Sequence, residues 1–240
     1  MLLDVDIATK TYVDAAGRAA PTIQDLRFSL KRGEAGAVVG PSGAGKTTLL
    51  RIVAGLDRDF VGCVTLPQGA KLGMVFQEPR LLPWRSVFDN VKIAAPQASD
   101  AEIEALLAEV GLAGHAGHFP KELSLGLARR AALVRALAIR PQLLLLDEPL
   151  VSLDAPLALE LRERIARLIE ETDVTALIVT HDLGEAIALA DRIFVLTPRP
   201  ACVAATLEID TPRARMTPER AKALGEEAKA ALEAQRAASR

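Results

Sequence analysis

Aromatic side chains are almost missing from this chain, 3% of 240 residues, so its core has to be assembled from Leu, Ile, Val and Ala. Cysteine is just as sparse. Cys63 and Cys202 are the only two, too few and too far apart for a disulfide framework or a thiolate metal centre, and both read as small core residues. No single sign of charge dominates either. The 29 Lys and Arg nearly balance the 31 Asp and Glu, and the positive residues are scattered, which disfavours nucleic acid as a partner. Nothing approaches the roughly 18 uninterrupted apolar residues of a membrane span. The stretch Met1 to Lys10 carries Asp4 and Asp6 where a secretory leader would be basic, so the expectation is a soluble, cytoplasmic protein. What is present is a half-apolar chain long enough for one substantial core, with room for an inserted subdomain.

Against that background one stretch stands out. Gly40-Pro41-Ser42-Gly43-Ala44-Gly45-Lys46-Thr47-Thr48 satisfies the phosphate-loop pattern at every specified position. Its flanks agree: Ala35 to Val39 is an apolar run suited to a buried strand, and Thr47 to Ala54 reads as a helix closed by Gly55. Glycines let successive backbone N–H groups converge on an anion, and the following helix adds the positive end of its dipole. Lys46 is then placed for the terminal phosphates of a nucleotide and the Thr47 hydroxyl for Mg²⁺.

Elsewhere the pattern alternates between strands and helices. Residues 1 to 39 hold short apolar runs broken by Gly17, Pro21 and Gly33, suggesting strands and turns. Tyr12, the only tyrosine, precedes a polar loop; taken alone it suits a half-buried packing residue. Leu72 to Phe76 is a buried-strand candidate that runs into Gln77-Glu78-Pro79. The next residues, Arg80 to Val87, combine two prolines with the only tryptophan, so Leu82 and Trp84 sit on a loop and either tuck inward or meet a partner. Ser99 to Glu102 is a capping box for a helix through Val110. The region from about 90 to 140 is helical in pattern, and in it Ser124 is placed to cap a helix running to Ile139. Arg129 and Arg130, near that helix's start, read as solvated arginines or as a helix end that meets an anion. Leu143 to Leu146 followed by Asp147-Glu148 reads as a central parallel strand with acids at its carboxyl end, the edge where α/β sheets bind ligands. Asp154 caps a helix from Leu157 to Glu171, and a strand from Thr175 ends in Thr180-His181-Asp182. The tail from Thr217 reads as a solvent-exposed helix.

Taken in order, the phosphate loop, Gln77, Ser124-Leu125-Gly126, Asp147-Glu148, Asp154 and His181 resemble the ATP-binding cassette (ABC) ATPases along nearly the full chain. More narrowly, Gln77 to Trp84 with Val87 and Asn90-Val91 looks like the importer ATPases for nitrate, sulfonate, taurine and related small anions. The resemblance implies an α/β fold: a P-loop NTPase core with an antiparallel β subdomain and an inserted helical subdomain. As one domain this divides into a core (1–89 and 141–205), a helical subdomain (90–140) and a helical tail (206–240). It implies ATP and Mg²⁺ as cofactors, with Asp147 on the metal beside Thr47, Glu148 polarising the attacking water, Gln77 sensing both, and His181 on the γ-phosphate. Tyr12 falls where the family stacks an aromatic on adenine. The family also implies a homodimer in which Ser124, Leu125 and Gly126 of one subunit face the other's ATP, with Asp154 in the adjoining D-loop. Permease subunits would be contacted through Leu82 and Trp84, and a solute-binding protein would act indirectly, with the ATPase peripheral on the inner face of the cell membrane.

One departure matters. The family's signature is Leu-Ser-Gly-Gly-Gln, whereas here it is Leu123-Ser124-Leu125-Gly126-Leu127. A positive φ at Leu125 would cost on the order of 1 kcal/mol and weaken dimer closure, whereas a negative φ would cost little. A slow or partner-dependent ATPase is thus one alternative, and a soluble non-transport ABC protein another. The latter normally needs paired cassettes or a long coiled-coil insertion, and neither is present.

Overall fold

In a computed structural model the described residues are 1–13, 17–209 and 217–238. In chain order the elements are β1 (Leu3–Val13), β2 (Ala19–Leu30), β3 (Ala35–Val39), α1 (Lys46–Val53), β4 (Val61–Thr65), β5 (Leu72–Val75), α2 (Val87–Ala94), α3 (Asp100–Glu109), α4 (Leu125–Leu137), β6 (Leu143–Asp147), α5 (Ala155–Glu171), β7 (Thr175–Thr180), α6 (Leu183–Leu189), β8 (Arg192–Leu196), β9 (Val203–Glu208) and α7 (Pro218–Ala238). They fall into two compact units: Met1–Gln68 with Thr175–Arg240, and Gly69–Val174.

In the first unit β1 pairs antiparallel with both β2 and β4, while β3 pairs parallel with β7 and β8, and β9 adds antiparallel to β8. β3 and β7 are buried at every residue, as unbroken apolar runs demand when both sheet faces are covered. β1 instead alternates, with Leu3, Val5 and Ile7 inward and Asp4 outward, the mark of a half-covered antiparallel strand. Phe28 of β2 meets Phe194 of β8 with ring centroids 4.6 Å apart, so two of the few aromatics help join these strands. The tail helix is not simply solvated: Leu224 and Ala228 are buried and α7 packs against β9 and α6. Its Ala-rich composition hides one apolar face. Thr217 does cap it, accepting from the Arg220 N–H at 3.2 Å.

In the second unit β5 and β6 pair in parallel. The helices α2, α3 and α4 bury Val87, Val91, Ile103, Leu107, Ala131 and Val134 in one cluster, onto which Leu81 and Leu127 also pack. The capping box at Ser99 and Glu102 is formed, and Ser124 and Asp154 cap α4 and α5 as their side-chain chemistry predicts. Arg129 and Arg130 are 6% exposed each, not solvated, because backbone carbonyls and a carboxylate meet their guanidinium groups. Cys63 is exposed and Cys202 half-buried, so neither is a core residue; Cys63 lies on β4, a largely exposed edge strand.

Candidate functional site

The first unit carries the phosphate loop. Gly45 has φ 107° and is the N-cap of α1, a left-handed conformation that a side chain would strain. A Cβ there would also lie 3.0 Å from Thr22 Cγ2 and 3.3 Å from Thr22 O, so glycine is required twice over. Ala44 N–H donates to Pro41 O at 3.1 Å, closing the loop on itself. Lys46, 5% exposed, donates from Nζ to Gly40 O at 2.9 Å and Pro41 O at 3.1 Å. Its charge is thereby held across the loop's mouth. Pro41, Ser42, Gly43 and Thr47 are exposed while Gly40, Ala44 and Thr48 are buried.

Tyr12 lies near the end of β1, 39% exposed. Its hydroxyl donates to Asp57 Oδ2 at 3.1 Å and lies 3.5 Å from Thr48 Oγ1 in α1, which brings it together with the phosphate-loop helix. His181 is exposed immediately after β7. Its turn is held by a network: Thr180 Oγ1 donates to Glu185 Oε2 at 2.7 Å and accepts from Asp182 N–H at 3.0 Å, and Asp182 Oδ1 accepts from Glu185 N–H at 3.1 Å. Glu185 went unnoticed in the sequence, although Asp182 three residues before it is a helix-start signal.

The second unit carries the acids and the signature segment. Asp147 ends β6 and is 2% exposed. Glu148, half-buried, has φ 45°, a left-handed conformation costing about 1–2 kcal/mol for a side-chain-bearing residue. Such strain clusters where a side chain is re-aimed for a task. Ser152, two residues before Asp154, is also left-handed at φ 60°. Arg129, from α4, donates to Val151 O, to Pro149 O at 3.5 Å and to Gln77 O at 3.5 Å. One buried guanidinium thus ties the Gln77 segment to the chain following Asp147 and Glu148. Neighbouring Arg130 donates to Glu160 Oε2 at 2.5 Å and Val110 O at 3.1 Å. Hydrogen bonds from Arg164 and then Arg130 hold the Glu160 carboxyl below its usual range.

Leu125 is the first residue of α4 and 46% exposed. It is not among the residues with positive φ, so the strained alternative does not arise. A helix N-terminus accepts leucine as readily as glycine in backbone terms. Gly126 is buried, and a Cβ on it would come 2.3 Å from Leu157 Cδ2.

The loop before α2 divides its apolar residues: Leu81 packs inward, Leu82 is half-buried and Trp84 is 69% exposed. It is not loose. Buried Asn90 accepts from Leu82 N–H at 2.7 Å and donates to Leu82 O, Arg85 O and Ser86 O at 3.2, 3.2 and 2.9 Å. Arg135 adds bonds to Pro79 O at 2.9 Å and Arg80 O at 2.7 Å.

The donors suit ATP and Mg²⁺. Hydroxyl and carboxylate oxygens are the ligands a hard cation takes. Among the described residues no group of three or more His, Cys, Asp or Glu could hold a metal. In nucleotide enzymes Mg²⁺ ordinarily takes part of its shell from the substrate phosphates.

Residues 23–151 match the family model described as ABC transporter. The chain is 46% identical over 222 residues, 89% of its length and 80% of the relative's, to aliphatic sulfonates import ATP-binding protein SsuB 2 of Burkholderia cenocepacia (strain HI2424). Against aliphatic sulfonates import ATP-binding protein SsuB 1 of Pseudomonas aeruginosa (strain UCBPP-PA14) it is 42% identical over 227 residues, 89% of each chain. The ATP-binding cassette MJ0796, solved as a dimer in a post-hydrolysis state with ADP and Pi, superimposes with a TM-score of 0.79 at 26% identity, covering 88% of this chain and all of that one. This chain belongs to the ABC transporter family. It is an ATP-binding cassette with the P-loop NTPase fold, an ATPase whose cofactors are ATP and Mg²⁺.

Proposed function

We propose that the chain energises import of a small organic anion, with aliphatic sulfonates as the substrate class, as a homodimer seated peripherally on a membrane permease. The observation that carries this reading is the 46% identity over 89% of the chain to a protein named for aliphatic sulfonate import. No helix among the described residues is long and apolar enough to cross a membrane; in this reading the path for the anion lies in a permease, supplied by a solute-binding protein. The dimeric cassette with ADP and Pi supports the pairing.

In this reading the N–H groups of Gly40 to Thr48 wrap the phosphates and Lys46 offsets charge on the terminal two. The Thr47 hydroxyl and the Asp147 carboxylate would hold Mg²⁺, which when bound would offset charge on the phosphate oxygens. Gln77 orients the attacking water and Glu148 accepts its proton as the oxygen bonds to the γ-phosphorus and the bond from that phosphorus to the β,γ-bridging oxygen breaks, releasing ADP and inorganic phosphate. His181 donates to a γ-phosphate oxygen. Tyr12 stacks on adenine. Ser124, Leu125 and Gly126 at the start of α4 complete the ATP site of the second copy, with Asp154 beside them. ATP binding closes the dimer and hydrolysis reopens it, and the loop bearing Leu82 and Trp84 passes the motion to the permease.

Glu148→Gln tests the core of this mechanism, because the amide keeps the shape but takes no proton. The variant should bind ATP, lose turnover and elute as a dimer in sizing chromatography; elution only as monomer with ATP would refute the assignment. Uptake of a radiolabelled alkanesulfonate by cells carrying the chain and its permease tests the substrate class. Uptake that persists when the chain is deleted would refute it.

A further inference from the structure

Lys10 is 2% exposed, and the mechanism above does not use it. β1 points Leu3, Val5 and Ile7 inward at every second position. Between Ile7 and Thr9 the register against β4 shifts, and this irregularity reverses the phase so that Lys10 turns inward. Two residues further along β1 lies Tyr12. The Lys10 ammonium lies 2.9 Å from Asp57 Oδ1, 2.6 Å from Asp59 O, 3.3 Å from Asp59 Oδ2 and 4.6 Å from the centroid of the Tyr12 ring. Asp57 holds both neighbours, accepting from Lys10 on one oxygen and from the Tyr12 hydroxyl on the other at 3.1 Å.

Asp57 is itself tied to the phosphate-loop helix. Leu56 and Asp57 N–H groups both donate to Arg51 O in the last turn of α1, at 2.8 and 3.1 Å. The Tyr12 hydroxyl approaches Thr48 in the first turn of the same helix. The ring is therefore referenced to α1 at both ends.

We infer that Lys10 and Asp57 are positioning residues for Tyr12, holding its ring beside α1 so that it presents a face to the purine base of a bound nucleotide. The inference rests on the proposed reading of Tyr12 as a base platform and extends it to residues outside the loop. Two effects follow from the geometry. Pinning the hydroxyl removes rotamer freedom that base binding would otherwise have to remove. The ammonium over one face draws π density from the ring and favours a π-rich base against the other. Both partners are charged at neutral pH. Burial works against each charge. For Lys10, the hydrogen bonds and charges of Asp57 and Asp59 outweigh it and hold the amine above its ordinary value. For Asp57, bonds from Lys10, the Asp59 N–H and Tyr12 outweigh it and hold the carboxyl below.

A purely structural tie between β1 and the chain after α1 would look similar in a stability assay, so the test separates base from phosphate. Binding of Mg-ATP and of Mg-tripolyphosphate, which has no base, is measured by calorimetry on the full chain for the wild type and for Lys10→Met, Asp57→Asn, Tyr12→Phe and Tyr12→Ala. Tyr12→Ala should weaken ATP about tenfold, in line with loss of one aromatic–base stack. Lys10→Met and Asp57→Asn should weaken ATP roughly three- to tenfold through the lost cation and hydroxyl anchor, with tripolyphosphate affinity unchanged in every variant. Tyr12→Phe, which keeps the ring but not the bond to Asp57, should fall between wild type and Tyr12→Ala. Equal loss of both ligands, or wild-type ATP affinity in Lys10→Met and Asp57→Asn, would overturn the inference while leaving Tyr12 as platform if Tyr12→Ala still discriminates. If Tyr12→Ala binds ATP as the wild type does, the platform reading itself falls and the inference with it. Should Lys10→Met fail to fold, the near-isosteric Asp57→Asn carries the same comparison.

Discussion

Replacing Asn90 with Ala should loosen the segment from Leu82 to Ser86 while leaving nucleotide binding intact. The carboxamide, 2% exposed, accepts one bond from Leu82 N–H and shares its two protons among the carbonyls of Leu82, Arg85 and Ser86. About three hydrogen bonds vanish at once, each worth ~0.5–1.5 kcal/mol net, and the groups left behind add a desolvation penalty. A local cost of about 3 kcal/mol is on the order of a hundredfold in the opening equilibrium. Amide hydrogen exchange reads this directly at Leu82, whose N–H loses its acceptor. Asn90→Asp sharpens the test. A carboxylate there keeps the acceptor for Leu82 N–H but faces three carbonyl oxygens, so its folded-state pKa must rise above the ordinary carboxylate value. A raised acid loses stability as pH climbs past its ordinary range. Asn90→Asp should therefore be less stable than Asn90→Ala at neutral pH, and the gap should close in acid, where the carboxyl is protonated and donates one bond. Unchanged Leu82 exchange in Asn90→Ala, or a neutral-pH Asn90→Asp as stable as the wild type, would refute the brace.

Lys46→Ala removes the buried ammonium that spans the Gly40 and Pro41 carbonyls; it should weaken Mg-ATP binding at least tenfold, and unchanged affinity by calorimetry would refute the site. Gly73→Ala places a Cβ 2.5 Å from the backbone oxygen of Ala136. Because α4 backbone cannot yield as a side-chain tip can, the cost should be about 2–3 kcal/mol, seen as a lower denaturation midpoint. The Lys10 and Asp57 pair sets a pH window: Asp57 sits below its ordinary value and Lys10 above its own. Its contribution should be full through the neutral range, fall as pH drops through the depressed carboxyl value, and fall again as pH rises through the elevated amine value. Comparing wild type with Lys10→Met in denaturation across pH should show that difference shrinking at both extremes.

Much of the fold was legible because the signals were local. The phosphate loop, the capping residues Ser99, Ser124 and Asp154, and the apolar runs of β3, β6 and β7 each state their conformation within a few residues, through glycine permissiveness, side-chain capping and burial on both sheet faces. Composition misled where burial depends on distant partners. Arg129 and Arg130 look like surface cations until Val151, Pro149, Gln77, Val110 and Glu160 converge on them. Cys63 looks like core until β4 proves an exposed edge. The tail reads as a solvated helix until Leu224 and Ala228 meet the rest of their unit.

By itself, then, the sequence determined the chemistry on offer: a glycine-rich loop with Lys46 and Thr47, adjacent acids at Asp147 and Glu148, a helix-capping serine at Ser124 and a histidine at a strand's end. The tertiary structure decided direction and conformation. It turned Lys10 inward through a register shift, locked the loop before α2 on Asn90, sent Trp84 outward, gave Glu148 a left-handed backbone and left Leu125 with an ordinary helical one. The physical reason is range. Residue type and short spacing specify which groups can bond, but which way a side chain points is settled by register, packing and hydrogen-bond partners tens of residues away.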